Sequence, residues 1–117
     1  MYRILILEDS PVRIKIFKDK FKHEDVYFFD QVSDTIFALD NMGPWDMVFL
    51  DHDLDGQMFV PSHEPNTGWQ VARHIAEKQI PIHAIFIHSM NDDGAQNMLE
   101  LLPHADRVRF PNLMRLI

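Results

Sequence analysis

The chain has 117 residues, 46% of them hydrophobic, a length and composition suited to one domain over residues 1–117 with one core. Its 11 Lys and Arg against 18 Asp and Glu give a formal net charge of −7, which argues against an extended nucleic-acid-binding surface. Without cysteine it has neither disulfides nor thiolate sites. No apolar stretch approaches the ~20 residues of a bilayer span, and the first residues lack a signal-peptide pattern. We therefore expect a cytoplasmic protein without a membrane partner.

Short apolar runs alternate with amphipathic segments along the chain, the arrangement expected of βαβ units around a parallel sheet. The predicted strands cover residues 4–7, 26–29, 47–50, 84–87 and 107–110. Ser10 before Pro11 predicts the start of a first helix that runs to about His23. Ser33 is the predicted cap of the second helix, and Thr67 or Asn66 that of the third. Only residues 111–117 follow the fifth strand, too few for more than a turn or two of helix.

The connection after the third predicted strand is unusually long. Between about residues 55 and 66 the sequence is irregular, with Pro61 and Pro65 on either side of Ser62, His63 and Glu64. Strand-to-helix loops are normally shorter, and loops of this length often carry function. We expect this inserted loop to form a lid or a pocket wall.

Acidic and polar side chains follow three of the predicted strands. Glu8 and Asp9 end the first strand, Asp51 ends the third, and residues 88–91 (His-Ser-Met-Asn) end the fourth. Ligands of open parallel sheets bind outside these carboxyl ends. Three carboxylates close together favour a bound hard cation, Mg²⁺ or Mn²⁺, with the Ser89 hydroxyl donating to a phosphate oxygen. The competing interpretation is that Asp9 and Asp51 merely cap the segments that follow.

The order of these motifs resembles the receiver domain of two-component response regulators. The matching motifs are Leu-Glu-Asp-Ser at 7–10, Leu-Asp-His-Asp-Leu at 50–54, Thr-Gly at 67–68 and Ile-His-Ser at 87–89. The resemblance implies a flavodoxin-like or CheY-like doubly wound α/β fold with a five-stranded parallel sheet, its last helix truncated or missing. It implies metal binding by Glu8, Asp9 and Asp51, with the backbone carbonyl of Asp53 as a further ligand. Asp51 would accept the phosphoryl group and Ser89 would respond to it.

The sequence departs from the signalling receivers at the end of the fifth predicted strand. Phe110, before Pro111, stands where receivers carry a lysine. Arg107 or Arg109 are the candidate replacements, although a planar guanidinium is not equivalent to an ammonium group.

Two motifs are similar to the signatures of a receiver subfamily, the cyclic-phosphate-processing receiver domains of bacteria and their phages. These motifs are Asp-His-Asp-Leu at 51–54 and His-Ser-Met-Asn at 88–91. This resemblance implies a terminal cyclic phosphate or cyclic nucleotide as substrate, with His88 and His52 as candidate general acids or bases beside a catalytic Asp51. Ser89, Asn91 and Asp53 are the residues expected to bind the substrate or its phosphate. Residues 88 and 89 should point to opposite faces of the sheet unless the chain has already left the strand, and in the first case one of them is expected to be structural.

Three functions remain open on the sequence alone. The first is a metal-dependent phosphoesterase or phosphate-binding domain acting on a phosphate-containing small molecule or RNA end. The second is a phosphoreceiver modified at Asp51, and the third is a protein-binding module. A docking edge for a protein partner would be apolar and C-terminal, formed by Leu113, Met114, Leu116 and Ile117.

Overall fold

The computed structural model describes residues 1–117 and contains five strands and five helices in strict alternation. The strands are β1 (Arg3–Leu7), β2 (Asp25–Phe29), β3 (Trp45–Leu50), β4 (Ile82–Ile87) and β5 (Asp106–Arg107). The helices are α1 (Pro11–Lys20), α2 (Val32–Asn41), α3 (Gly68–Lys78), α4 (Asp92–Leu101) and α5 (Phe110–Leu116). None of the helices is long and apolar enough to span a bilayer.

The strands form one parallel sheet in the order β2-β1-β3-β4-β5. This is the flavodoxin-like doubly wound order, and it confirms the predicted fold. The chain order reverses between β1 and β3, where Leu7 pairs with Leu50 in register. That reversal opens a cleft beyond the carboxyl ends of the two strands, where the acids predicted from the sequence lie.

Alternate residues of the buried strands fill two cores on the two faces of the sheet. Leu5 and Leu7 of β1 belong to the larger core, which also contains buried residues of α2, α3 and α4. Ile4 and Ile6 belong to the smaller core, with Phe17 of α1 and residues of α5. Burial on both faces explains why the strands read as continuous apolar runs.

Several predicted boundaries were wrong, mostly by a few residues. The first helix ends at Lys20 rather than near His23, and the second is capped at Gln31 rather than Ser33. The expected fifth strand over residues 107–110 shrinks to Asp106–Arg107, because Phe110 begins α5. Pro111 in the first turn favours that helix, and the Phe110 ring packs 5.4 Å from the ring of Phe17.

The last helix is short rather than missing, and it closes the smaller core. Leu113 is fully buried there, and Met114 and Ile117 pack against the same cluster. Only Leu116, 71% exposed, faces solvent. Three of the four residues expected at a docking edge therefore cover the core, and the C-terminal protein partner stays a prediction.

Candidate functional site

A cavity of about 350 Å³ lies at the carboxyl ends of β1, β3 and β4. Its size falls in the range of small-molecule sites. Charged and hydroxyl side chains form much of its wall: Glu8, Asp9, Ser10, Arg13, Asp51, Asp53 and Ser89. Both acids after β1 and the acid after β3 thus line one cavity with the predicted serine.

Glu8 is a buried carboxylate fixed by neighbours on both oxygens. Its Oε2 accepts hydrogen bonds from the backbone N–H groups of Asp9 and Ser10, both at 3.0 Å. Its Oε1 accepts one from Nε2 of His88, also at 3.0 Å. Burial by itself would raise the pKa of Glu8, but these bonds, with the His88 bond foremost, lower it to about 2. Near neutral pH, Glu8 is therefore a charged carboxylate held in one orientation, and it could act as a metal ligand.

Asp51 is the second buried carboxylate, only 4% exposed. Its Oδ1 accepts a hydrogen bond from the N–H of His52 at 2.8 Å. Burial, followed by the charge of nearby Glu8, raises the pKa of Asp51 to about 7, against the opposing effect of His88. Ionising a buried carboxyl group beside another carboxylate costs free energy, and a bound cation would offset that cost. Carboxylate oxygens are ligands that suit Mg²⁺ or Mn²⁺. The residues present thus fit a hard divalent ion.

Not all of the predicted metal ligands lie close together. Ligand atoms of Glu8, Asp51 and His88 all lie within 4.8 Å of one another. Asp9 is outside this group, and its Oδ2 accepts a hydrogen bond from the N–H of Gly56 at 2.6 Å. Burial raises the pKa of Asp9, since that bond only partly offsets the loss of water. Asp9 lines the cavity while holding the inserted loop.

Ser89 presents a hydroxyl to the cavity although only 1% of the residue is exposed. Its Oγ accepts a hydrogen bond from the N–H of Asn91 at 3.0 Å. That bond orients the oxygen and leaves the hydroxyl proton for an incoming acceptor. The role of Ser89 as a donor to a phosphate oxygen stays a prediction.

The two candidate acid–base histidines are both fully buried, and neither lines the cavity. The His88 ring packs 5.4 Å from the ring of Phe17, just beyond the end of β4 at Ile87. His52 uses Nδ1 to bind Oδ1 of Asp53 and Nε2 to bind Oγ of Ser62, both at 2.8 Å. Both imidazoles support other groups here, and their assignment to proton transfer stays a prediction.

Asp53 and Asn91 fix the inserted loop between β3 and α3. The Asp53 carboxylate accepts hydrogen bonds from the N–H groups of Phe59 at 2.7 Å and Val60 at 3.2 Å. The Asn91 amide donates to Asp53 at 3.1 Å and to the Val60 carbonyl at 3.2 Å. Its oxygen caps α4 by accepting from the Gly94 N–H at 2.9 Å. The side chains predicted to contact substrate are thus occupied in shaping the cavity wall.

The Thr-Gly motif has a steric role at the end of this loop. The N–H of Gly68 donates to the carbonyl of His52 at 2.9 Å. A Cβ on Gly68 would overlap the backbone carbonyl of Asp51. Glycine therefore lets the start of α3 approach the strand that carries Asp51.

Arg13 is a site residue that the sequence did not reveal. Its guanidinium lies 3.6 Å from Oε1 of Glu8 and 3.8 Å from Oδ2 of Asp51, and it lines the cavity. It also lies over the ring of Phe110, 5.1 Å from the centroid. The sequence did contain one indication of this role. Arg13 comes three residues after the predicted helix cap Ser10, which places it in the first turn of α1, close to the strand ends.

The expected replacements for the receiver lysine were wrong, because Arg107 and Arg109 have another partner. Both donate to the carboxylate of Asp92, at 2.7 and 2.8 Å. Arg107 also donates to the carbonyl of Ser89 at 2.9 Å. The cationic side chain that lines the cavity is Arg13, and Phe110 supplies the aromatic surface beneath it.

Solved structures similar to this one are response-regulator receiver domains. They include the receiver domain of a putative Luxo repressor protein from Vibrio parahaemolyticus (20% identity, TM-score 0.70, 98% of this chain and 85% of that one). The Francisella response regulator 1452 receiver domain is similar at 16% identity and TM-score 0.73, over 99% and 89% of the two chains. The Mn²⁺-bound form of response regulator Rcp1 is similar at 18% identity and TM-score 0.69, over 99% and 88%. These likenesses establish the fold alone.

A search of curated proteins gave no significant match to the sequence. The family model for the cyclic-phosphate processing receiver domain matches residues 3–104, which include every strand end that lines the cavity. The chain therefore belongs to the cyclic-phosphate processing receiver domain family.

Proposed function

We propose that this domain binds and hydrolyses cyclic or terminal phosphates of nucleotides or RNA ends, with a divalent metal ion. One observation carries the proposal: Glu8 and Asp51 lie buried side by side on a cavity that also presents the Arg13 guanidinium. Paired carboxylates suit a cation, and a guanidinium with a nearby hydroxyl suits a phosphate. The cavity combines both requirements.

Each polar side chain has a separate task in this proposal. Glu8, Asp9 and Asp51 would hold Mg²⁺ or Mn²⁺, which when bound polarises a phosphoryl oxygen. Arg13 and Ser89 donate hydrogen bonds to the remaining phosphate oxygens and fix the orientation of the phosphate. His88 keeps Glu8 in place through its 3.0 Å hydrogen bond.

Hydrolysis of a cyclic phosphate converts a diester into a monoester. Water adds to phosphorus, the bond from phosphorus to one ring oxygen breaks, and that oxygen takes up a proton. Arg13 and Ser89 favour the step because charge grows on the phosphoryl oxygens to which they donate.

The proposal is tested by incubating the protein with Mg²⁺ or Mn²⁺ and a panel of 2′,3′-cyclic nucleotides, 3′,5′-cyclic nucleotides and RNA with a cyclic phosphate end. Asp51→Ala is the test variant and Asp19→Ala, which removes an exposed acid from α1, is the matched control. We expect metal-dependent hydrolysis that Asp51→Ala abolishes and Asp19→Ala preserves. Absence of both hydrolysis and phosphate binding would refute the proposal.

A second candidate is a phosphoreceiver that is modified on Asp51. The observation in its favour is that Asp51 lines the cavity beside Arg13, whose charge would stabilise a phosphoryl group. Acetyl phosphate with Mg²⁺ discriminates the two candidates. A stable mass increase that Asp51→Asn prevents would favour the phosphoreceiver, whereas rapid turnover of cyclic phosphates without a mass increase would favour hydrolysis.

A further inference from the structure

Three large apolar side chains stand exposed at the mouth of the cavity. Met58 is 76% exposed, Phe59 is 70% exposed and Met90 is 42% exposed, and all three line the same cavity as Glu8 and Asp51. Two of them belong to the inserted loop, and Met90 follows the Ser89 hydroxyl. A polar interior with an apolar rim is suited to a ligand that carries a phosphate on one side and a flat apolar group on the other.

Phe59 is held in this exposed position by its backbone. Its φ is +54°, in the left-handed region that non-glycine residues rarely adopt. The Asp53 carboxylate fixes the turn by accepting from the N–H of Phe59 at 2.7 Å and from that of Val60 at 3.2 Å. Val60 is turned inward and only 9% exposed. The loop therefore holds the aromatic ring outward, although packing it inward would remove apolar surface from water.

Two buried side chains, His52 and Asn91, hold Asp53 in place. His52 and Asn91 donate to Asp53 at 2.8 and 3.1 Å. Ser62, bound to His52, also accepts from the side-chain amide of Asn97 at 2.9 Å. This network ties the loop to α4, so the backbone that carries the aromatic ring is ordered before a ligand binds.

We propose that Phe59, flanked by Met58 and Met90, is a stacking platform for the nucleobase of a nucleotide whose phosphate lies against Arg13 and Ser89. The inference rests on the proposed function and adds to it a requirement for a base. Stacking on an exposed aromatic ring tolerates any base, since every base has a π face. The shared ligand chemistry is a base joined to a cyclic or terminal phosphate, in a free nucleotide or at an RNA end.

The test compares ligands with and without a base on matched variants, by calorimetry in the presence of Mg²⁺. The ligands are adenosine 2′,3′-cyclic phosphate, a short RNA with a 2′,3′-cyclic phosphate end, and methyl riboside 2′,3′-cyclic phosphate, which lacks a base. The variants are Phe59→Ala, Phe59→Trp and the control Phe37→Ala, which removes a 63% exposed phenylalanine from α2. Asp51 is kept in every variant, and low temperature limits turnover during the measurement.

We expect the base-bearing ligands to bind more tightly than the base-free ligand by roughly tenfold to a hundredfold. Phe59→Ala should remove most of that difference and leave the base-free ligand unaffected. Phe59→Trp should retain the difference and show quenching of its fluorescence by the base, and Phe37→Ala should change nothing. Preference for the RNA over the nucleotide would identify an RNA end as the source of the base.

Two results would overturn the inference in distinguishable ways. Equal binding of all three ligands, unaffected by Phe59→Ala, would refute the platform and leave the phosphate site intact. Failure of every ligand to bind with Mg²⁺ to the protein that has Asp51 in place would refute the proposed function, and the platform with it.

Discussion

The same substitution made two residues apart, Asp51→Asn and Asp53→Asn, should change stability in opposite directions. The pKa of Asp51 is raised from 3.8 to about 7, chiefly by burial and then by Glu8. A shift of about 3 pH units at 1.36 kcal/mol per unit means that ionised Asp51 lowers stability by up to about 4 kcal/mol. Asparagine has no charge to bury, and its oxygen can still accept from the N–H of His52.

The sign of the pH dependence follows from the direction of the shift. The pKa of Asp51 is higher in the folded state, so the protonated carboxyl favours folding. This contribution is complete below about pH 3.8 and is lost as the pH rises through about 7. In the absence of divalent metal, Asp51→Asn should therefore raise the free energy of unfolding above pH 7. The gain should shrink steadily as the pH falls toward 4.

Asp53→Asn should instead destabilise the protein. Burial by itself would raise the pKa of Asp53, but hydrogen bonds from His52, Asn91 and two backbone N–H groups lower it. Losing one charged acceptor oxygen that serves the Phe59 turn should cost about 2 kcal/mol. Urea unfolding at pH 5 and pH 8.5 with EDTA measures both effects. A pH-independent gain for Asp51→Asn, or a loss at pH 8.5, would refute the reasoning about its burial.

Three further predictions follow from the site geometry. Arg13→Met should weaken phosphate binding about tenfold or more, because a charged hydrogen-bond donor is lost, while the methionine keeps the packing over Phe110 and Mg²⁺ binding is retained. Calorimetry measures both affinities, with Lys18→Met as the control. Gly94→Ala should destabilise the protein by roughly 1–3 kcal/mol in urea, because the new Cβ would lie 2.5 Å from the His52 ring. Glu8→Gln should lower stability near pH 7, and the loss should vanish as the pH falls through about 2, since the pKa of Glu8 is lowered by His88 despite burial.

Each of these has a contradicting result. Equal loss of phosphate affinity in Lys18→Met would indicate long-range electrostatics rather than a contact from Arg13. An unchanged unfolding free energy in Gly94→Ala would show that His52 is free to move. A Glu8→Gln difference that grows toward acid pH would reverse the sign assigned to its pKa shift.

The sequence was sufficient to predict the fold and the strand-end residues of the cavity. Buried parallel strands have to read as apolar runs, and their carboxyl ends have to meet at the switch in strand order. Those two constraints place Glu8, Asp51 and Ser89 together whatever the loops do. Strand alternation, by contrast, does not apply to His88 and Ser89, because β4 ends at Ile87.

Side chains fixed by tertiary contacts were not predictable in the same way. Arg13 lies in a lysine-rich helix whose composition indicates a solvated face, yet its guanidinium reaches Glu8. Residues 107–110 were predicted to be a strand, but Pro111 and the contact of the Phe110 ring with Phe17 make Phe110 the first residue of α5. The outward ring of Phe59 depends on the Asp53 hydrogen bonds, which no local pattern encodes.

The central claim is that Glu8 and Asp51 bring a divalent cation and a phosphate together in one cavity. Relaxation of the ³¹P signal of inorganic phosphate by protein-bound Mn²⁺ tests it most directly, because paramagnetic relaxation falls steeply with the distance between Mn²⁺ and phosphorus and is strong only when the two ligands are neighbours. We predict strong relaxation with the wild-type chain, loss of Mn²⁺ binding in the Glu8→Gln and Asp51→Asn variants, and retained Mn²⁺ but weaker phosphate relaxation in Arg13→Met. Mn²⁺ binding that is indifferent to Glu8 and Asp51, or bound Mn²⁺ that leaves phosphate unrelaxed, would contradict the account.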